Sequence, residues 1–267
     1  MYLPCLIYIM KTSKRFKNVL IIAKYKENIN WILQLLGENY IDIDIIIINK
    51  GPTRINIKNR RVHIIDSENI GREGETYLNF IINNYDNLAE NIFFCQGNPF
   101  THSPTFLENF KIDNFNLYKD SPFQGLTSKY IDNLPPYNEI NNTFDINKSH
   151  IVEYLIDKKT LQICGHNNVL DIGVNNFNGH CNTLWKRFNI QKKYIKFSFA
   201  ACFYVKKQAI ISNSKEFYIN IKNWLLSKDL QGGLEGYVLE RYWAYIFNPK
   251  SYDSLEEYYK DIIHSNY

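Results

Sequence analysis

Residues suited to chemistry collect in four short polar segments, each following an apolar run. The first is Lys24-Tyr25-Lys26-Glu27-Asn28 with Trp31 beyond it. An aromatic ring there could stack on a nucleotide base, and Lys24 could meet a phosphate. A helix start with Trp31 packed on a sheet would use the same residues. The second is Asn49-Lys50-Gly51. Asn tolerates left-handed backbone and Gly permits close approach of another chain segment, although a plain turn has the same composition. The third, Asn69-Ile70-Gly71-Arg72-Glu73-Gly74-Glu75-Thr76-Tyr77, places an Arg between two glycines just before a helical pattern. Backbone N–H groups at a helix start bind anions, and a guanidinium adds a two-pronged donor. The segment is neither a Walker loop nor a Gly-x-Gly-x-x-Gly fingerprint. Its alternative is a surface turn whose acids favour the helix dipole. The fourth, Gln96-Gly97-Asn98-Pro99-Phe100-Thr101-His102, ends a strand in carboxamides and a His. Several donors and acceptors meet there, but a hard divalent cation prefers carboxylates. A loop ended by Pro99 is the simpler reading.

Two other clusters stand apart. Glu240 and Arg241 lie among large aromatics in Gly236-Tyr237-Val238-Leu239-Glu240-Arg241-Tyr242-Trp243. They could be a general base and an anion-positioning cation, or a structural ion pair. Cys164, His166, His180 and Cys181 could supply four zinc ligands, though their spacing matches no common finger. The alternative is a Gly- and Asn-rich loop with incidental Cys and His. A Cys–His nucleophile lacks an orienting partner in the sequence.

Positioning these groups requires a sheet. Apolar runs at Asn18–Ala23, Ile41–Ile48, Val62–Ile65 and Asn91–Cys95 read as strands. Between them, Ile29, Ile32, Leu33 and Leu36 read as one helix stopped by Gly37. Tyr77, Phe80, Ile81, Tyr85 and Leu88 give a second helix over 76–88. This alternation predicts an α/β fold with a mainly parallel central sheet flanked by helices, Rossmann-like. Ligands of such sheets bind at the carboxyl ends of the strands, which is where the four segments fall. The rhythm stops near Ser103, and Pro104, Pro122 and Pro135-Pro136 mark irregular connections. Strands are expected at 151–156 and 197–205, and helices at 215–226, 234–246 and 255–263. The resulting division is a tail (1–17), a nucleotide-binding-like α/β half (18–102), an irregular insertion or lid (103–190), and an acceptor-side half with the last helices (191–267).

Composition narrows the class. The chain has 267 residues, 45% hydrophobic and 22% charged, which excludes wholesale disorder and collagen-like repeats. The net charge of +4 is spread out. Its richest basic stretch, Lys11–Lys17, reads as a solvated arm and not a nucleic-acid contact. No run reaches the roughly 18–20 apolar residues of a membrane span. Five cysteines lack framework spacing, and Cys5, Cys95 and Cys202 sit in apolar runs. A reduced, cytoplasmic protein is expected.

Taken together, these blocks resemble the family catalogued as domain of unknown function 3431, which is associated with fungi and large DNA viruses. The matching stretches are Ile22–Glu27 with Trp31, Asn49–Gly51, Gly71–Leu78, Asn84–Leu88, Phe94–Phe100 with His102, Phe197–Val205, Glu216–Tyr218 and Leu239–Trp243. They span most of 18–247, and residues 103–190 match poorly. The layout is similar to that of nucleotide-sugar glycosyltransferases of the GT-A type. That resemblance implies a single GT-A-like domain taking a nucleotide-sugar donor and a glycan or protein acceptor, in the host cytoplasm if viral. Tyr25, Asn49 and Lys50 would lie near the nucleotide, and Lys50, Arg72 and Arg241 near acidic groups. Gln96 and Asn98 would orient the sugar with His102, and Glu240 would approach the acceptor hydroxyl. Gln96-Gly97-Asn98 stands where GT-A enzymes carry a metal-binding Asp-x-Asp. Lacking those carboxylates, a metal-independent enzyme would rely on Arg72, Lys50 or His102, and a divalent ion such as Mn²⁺ is the alternative. Two further expectations stay open: a non-catalytic glycan- or protein-binding module on this fold, and a zinc-dependent protein.

Overall fold

The computed structural model describes residues 16–101, 103–126, 143–145, 184, 186–190, 194–196, 201–227, 233–253 and 257. The four expected strands form at Asn18–Lys24 (β1), Asp44–Asn49 (β2), Val62–Asp66 (β3) and Asn91–Gln96 (β4). β1 pairs in parallel with β2 and β4, and β2 in parallel with β3. The fifth and sixth strands are Phe123–Gly125 (β5) and, after a short strand at Thr143–Asp145 (β6) and another at Tyr194–Lys196 (β7), Phe203–Lys206 (β8). β8 runs antiparallel to β4 and β5 antiparallel to β8, giving the order β3-β2-β1-β4-β8-β5. The sheet is therefore mixed: the β3-β2-β1-β4 part is parallel, in line with the mainly parallel sheet expected, and the β8-β5 edge is antiparallel. An antiparallel edge on an otherwise parallel sheet is a common arrangement, and local sequence does not encode strand order. β6, β7 and Ser251–Tyr252 (β9) make a separate three-stranded antiparallel sheet.

Both faces of the main sheet are buried. Strand alternation sends Val19, Ile21, Ile46, Ile48, Ile92 and Phe94 to one face and Leu20, Ile22, Ile45, Ile47, Phe93 and Cys95 to the other. The first face is covered by helices Arg72–Asn84 (α1), Lys215–Leu225 (α4) and Gly233–Phe247 (α5). These ends agree with the sequence reading except for α1, which starts four residues earlier and gives way to a 3₁₀ turn at Tyr85–Asn87. Lys207–Ile211 (α3) follows β8 directly.

The second face is covered by 3₁₀ helices at Asn30–Leu36 and Phe106–Phe110 and by helix Ile112–Tyr118 (α2). The first departs from the expected α-helix. Three residues per turn put Ile29, Ile32 and Leu35 on the sheet, while Leu33 is 52% exposed. Residues 103–126 are built into the domain: Phe110 and Phe115 pack against Phe93, Phe115 also against Tyr204, Phe106 packs on Phe110, and β5 extends the sheet. The expected strand at 151–156 lies outside the described residues, as does all of the expected helix at 255–263 except Glu257.

Candidate functional site at the carboxyl edge of the sheet

The chain leaves β1 for β2 and β3 on one side, then returns to β4 on the other. Strand order reverses between β1 and β4, and the crevice above such a point is where open α/β sheets bind ligands. The four polar segments predicted from sequence meet along this edge. Register places Lys24 beside Asn49 and Asn49 beside Asp66, and their side chains bond in the same order. Lys24 Nζ donates to Asn49 Oδ1 at 3.4 Å, and Asn49 Nδ2 donates to Asp66 Oδ1 at 2.8 Å. Lys24 Nζ also donates to the Tyr25 carbonyl at 3.0 Å, which holds the start of the first segment. Gly51 lies against that same carbonyl: a Cβ on Gly51 would sit 1.6 Å from it. Close backbone approach is the reason for glycine here.

The first and fourth segments are joined by Trp31, whose Nε1 donates to the Gly97 carbonyl at 3.0 Å. Its ring also packs edge-on against Phe100 and Phe106. Trp31 is thus a strut between segments. Glu27, part of the first segment but given no role from sequence, folds back to accept from the Tyr25 amide at 2.7 Å. It lies over Gly97, where a Cβ would come within 2.6 Å of its Oε2. Tyr25 is exposed at 40% and carries Lys26 over its ring at 5.1 Å. Gln96 is half-buried at the end of β4. Asn98 is exposed and donates to Thr101 Oγ1 at 3.2 Å.

Lys50 ties the second segment to the third. Its ammonium donates to the Ile70 carbonyl (2.5 Å), the Arg72 carbonyl (2.8 Å) and Glu75 Oε2 (2.6 Å), and it is 7% exposed. Burial lowers its pKa, opposed chiefly by Glu75. All three N–H bonds are spent inside the protein, so Lys50 braces the loop and has no donor left for a ligand. The braced loop is unusual: Gly71 (φ 59) and Arg72 (φ 50) both adopt left-handed backbone at the start of α1. A non-glycine residue held there costs about 1–2 kcal/mol. Arg72 Nη1 donates to the Tyr237 hydroxyl at 2.8 Å, and its guanidinium lies 5.2 Å from that ring's centroid. This contact connects the third segment to α5.

Glu240 follows one turn after Tyr237 on α5 and is 6% exposed. Glu73 lies in the first turn of α1 and is half-buried. Burial raises the Glu73 pKa above the ordinary carboxylate range. Its own backbone amide opposes the shift, Glu240 adds to it, and Arg72 and Lys50 oppose it weakly. Cys202, at the start of β8, receives a hydrogen bond from the Gln96 amide. Burial nevertheless pushes its thiol up to about 12, with Glu240 and Glu73 adding. Cys202 and the similarly buried Cys95 are inert thiols.

Of the remaining candidates, His102, Cys164, His166, His180 and Cys181 lie outside the described residues. Arg241 is placed on α5 by its backbone alone. No group of three or more His, Cys, Asp or Glu that could hold a metal occurs among the described residues. No helix among them is long and apolar enough to cross a membrane. A cavity of about 490 Å³ lined by Lys17, Glu90, Lys206 and Lys207 opens at the opposite edge of the sheet, away from all of these segments.

A family model described as "Protein of unknown function (DUF3431)" matches residues 20–259. The chain belongs to the DUF3431 family. No curated protein and no solved structure gives a significant match. The span matched by the DUF3431 model contains every segment of the carboxyl edge, from Lys24 to Glu240, together with Glu27, Glu75 and Tyr237, which lie inside the sequence segments but are given no role there. Glu75 and Glu73 read alike in sequence, as acids at a helix start. Helix rotation separates them: Glu75 is buried against Lys50 and Lys222, at 2.6 and 3.5 Å, whereas Glu73 is half-buried.

Proposed function

We propose that this DUF3431 protein is a glycosyltransferase-like enzyme that binds a nucleotide-sugar at the carboxyl edge and transfers the sugar to a hydroxyl acceptor. The observation that carries this reading is the convergence of five separated segments on one edge. Trp31–Gly97, Lys24–Asn49, Lys50–Arg72 and Arg72–Tyr237 link them in an unbroken series. The similarity of the layout, an N-terminal nucleotide-binding-like α/β half followed by an acceptor-side half, to that of GT-A enzymes supports the same reading. Exposed Tyr25 provides a stacking face for the base. Arg72 neutralises the diphosphate, held in place by Lys50 through its carbonyl. Gln96 and Glu27 orient the sugar, and Glu240 acts on the acceptor.

In the transfer step, Glu240 takes the proton of the acceptor hydroxyl. The hydroxyl oxygen forms a bond to the anomeric carbon as the bond from that carbon to the diphosphate oxygen breaks. The nucleoside diphosphate leaves with the bonding pair, and Arg72 stabilises the charge that develops on it. The metal-binding Asp-x-Asp position is taken by Gln96-Gly97-Asn98, so the developing charge falls to the guanidinium in this scheme.

The test is a thermal-shift panel of nucleotide-sugars and nucleoside diphosphates, with and without Mn²⁺. At least one should raise the Tm of the wild type, and Arg72→Ala should abolish the rise. A flat response across the panel contradicts the proposal. Glu240→Gln should keep the rise and lose transfer. Full biological function retained in that variant would favour a non-catalytic binding module.

A further inference from the structure

The connection from β2 to β3 carries four cations between Gly51 and Val62, namely Arg54, Lys58, Arg60 and Arg61, and no acid. It is fixed at both ends and in the middle. At the carboxyl edge, Asn49 Nδ2 donates to the Thr53 carbonyl at 3.3 Å. In the middle, Ile55 and Ile57 are half-buried and pack against the core of the second face. At the far end, Arg61 Nη1 donates to Asp42 Oδ1 at 2.6 Å and Nη2 to the Leu36 carbonyl at 2.8 Å. The Arg61 carbonyl accepts from the Ile45 amide at 2.7 Å. Burial alternates along this segment: Arg54, Asn56 and Lys58 are exposed, and Ile55 and Ile57 between them are half-buried. That is the two-residue period of an extended chain. Arg60 follows, also exposed, in the turn before β3. Arg61 is used by Asp42 and Leu36, whereas Arg54, Lys58 and Arg60 make no hydrogen bond or ion pair among the described residues.

We propose that residues 54–60 are a docking track for an acidic polysaccharide, a polymer of uronate sugars, and lead it to the carboxyl edge as the acceptor. Arg54 and Arg60 stand up to about 20 Å apart along the extended segment, a span that suits a polymer and not a small anion. Each guanidinium can grip both oxygens of a carboxylate, and Lys58 adds a point charge between them. Asn56, exposed among the cations, offers a donor and an acceptor to sugar hydroxyls. The backbone is already held, so binding orders side chains alone. The track begins at Thr53 beside Asn49, so a chain lying along it reaches the edge where the donor is placed.

Two other polyanions fit the segment less well. No Phe, Tyr or Trp occurs between Lys50 and Ile70, so it lacks the stacking platform that single-stranded nucleic acid uses. Its two apolar side chains, Ile55 and Ile57, pack on the protein's own core, which leaves no wedge for a lipid surface. The proposal deepens the transfer reading by naming the acceptor class. It rests on that reading for the acceptor role, and binding of the polymer stands apart from it.

The test is binding of labelled polygalacturonate to the full chain, followed by fluorescence anisotropy at two salt concentrations. Neutral dextran, poly(U) RNA and phosphatidylserine vesicles serve as competitors. Wild type should bind the polymer, and dextran should not displace it. Replacing Arg54, Lys58 and Arg60 together by Gln should weaken binding on the order of tenfold and flatten its salt dependence. Tm should hold, because all three side chains are exposed. Replacing Lys11, Lys14 and Arg15 by Gln in the other basic stretch should leave binding as in wild type. Asn56→Ala should weaken binding with an unchanged salt dependence, which a contact of charge alone does not predict. Absent binding, or equal losses in the two triple variants, overturns the track. Unchanged affinity in Asn56→Ala, or displacement by RNA or vesicles at lower charge concentration than by unlabelled polygalacturonate, overturns the glycan assignment. Polymer binding that needs the three cations, in a protein whose Tm no nucleotide-sugar shifts, supports the track and counts against the transferase reading. A donor shift without polymer binding does the reverse.

Discussion

Replacing Lys50 by Met separates a bracing role from a ligand-binding one. Lys50 Nζ satisfies two loop carbonyls and one buried carboxylate, and the side chains of Lys50 and Glu75 are 3% and 8% exposed. Removing one partner of such a pair typically costs about 3–5 kcal/mol, mainly because the other charge is stranded. Here Lys222, 3.5 Å from Glu75 and 29% exposed, compensates in part. The expected loss is therefore near the lower end, about 3 kcal/mol. At roughly 2–4 °C per kcal/mol for a chain of this size, Tm falls by about 6–12 °C. Adding Glu75→Gln removes the stranded charge and should return about 1–2 kcal/mol. It cannot return the whole loss, because the Ile70 and Arg72 carbonyls remain without their donor. Equilibrium urea unfolding of wild type, both single variants and the double variant measures each term. A loss below about 1 kcal/mol for Lys50→Met, or strictly additive effects in the double variant, would refute the brace.

Three other substitutions test the packing of the edge. Gly51→Ala drives a methyl into the Tyr25 carbonyl and should destabilise by more than about 2 kcal/mol in the same assay, detaching the β2 turn from β1. Gly236→Ala meets nothing within 4 Å, and should stabilise by about 0.5–1 kcal/mol through the chain entropy of α5. Tyr77→Phe removes the hydroxyl that has no described partner and should raise ligand-free stability by about 1 kcal/mol, whereas a loss of that size would show that the hydroxyl is bonded.

Much of the sheet was legible because its strands are short continuous apolar runs, buried on both faces. Asn18–Lys24 and Asn91–Gln96 could be read within a residue. The chemical segments were legible for the same reason: they are the polar residues immediately after those runs. Partnership was not legible. Lys50 and Glu75 are 25 residues apart, and nothing local distinguishes a lysine that holds carbonyls from one that holds phosphate. Glu73 and Glu75 differ only in the direction they project from α1. The aromatic face over 103–126 was hidden because Pro104 and Pro122 break the pattern, although Phe106, Phe110 and Phe115 pack as one layer. The 3₁₀ geometry of 30–36 was hidden because Ile32, Leu33, Leu35 and Leu36 satisfy either helical period.

The central claim is that the segments around Tyr25, Lys50, Arg72 and Gln96 form one ligand-binding edge. Hydrogen exchange of the full chain, with and without the nucleotide-sugar that gives the largest thermal shift, tests it directly. Protection should appear together at 24–28, 49–51, 70–74 and 96–98 and be absent around Lys17 and Lys206-Lys207. Protection confined to the opposite edge, or no change in any of the four segments, would contradict the account.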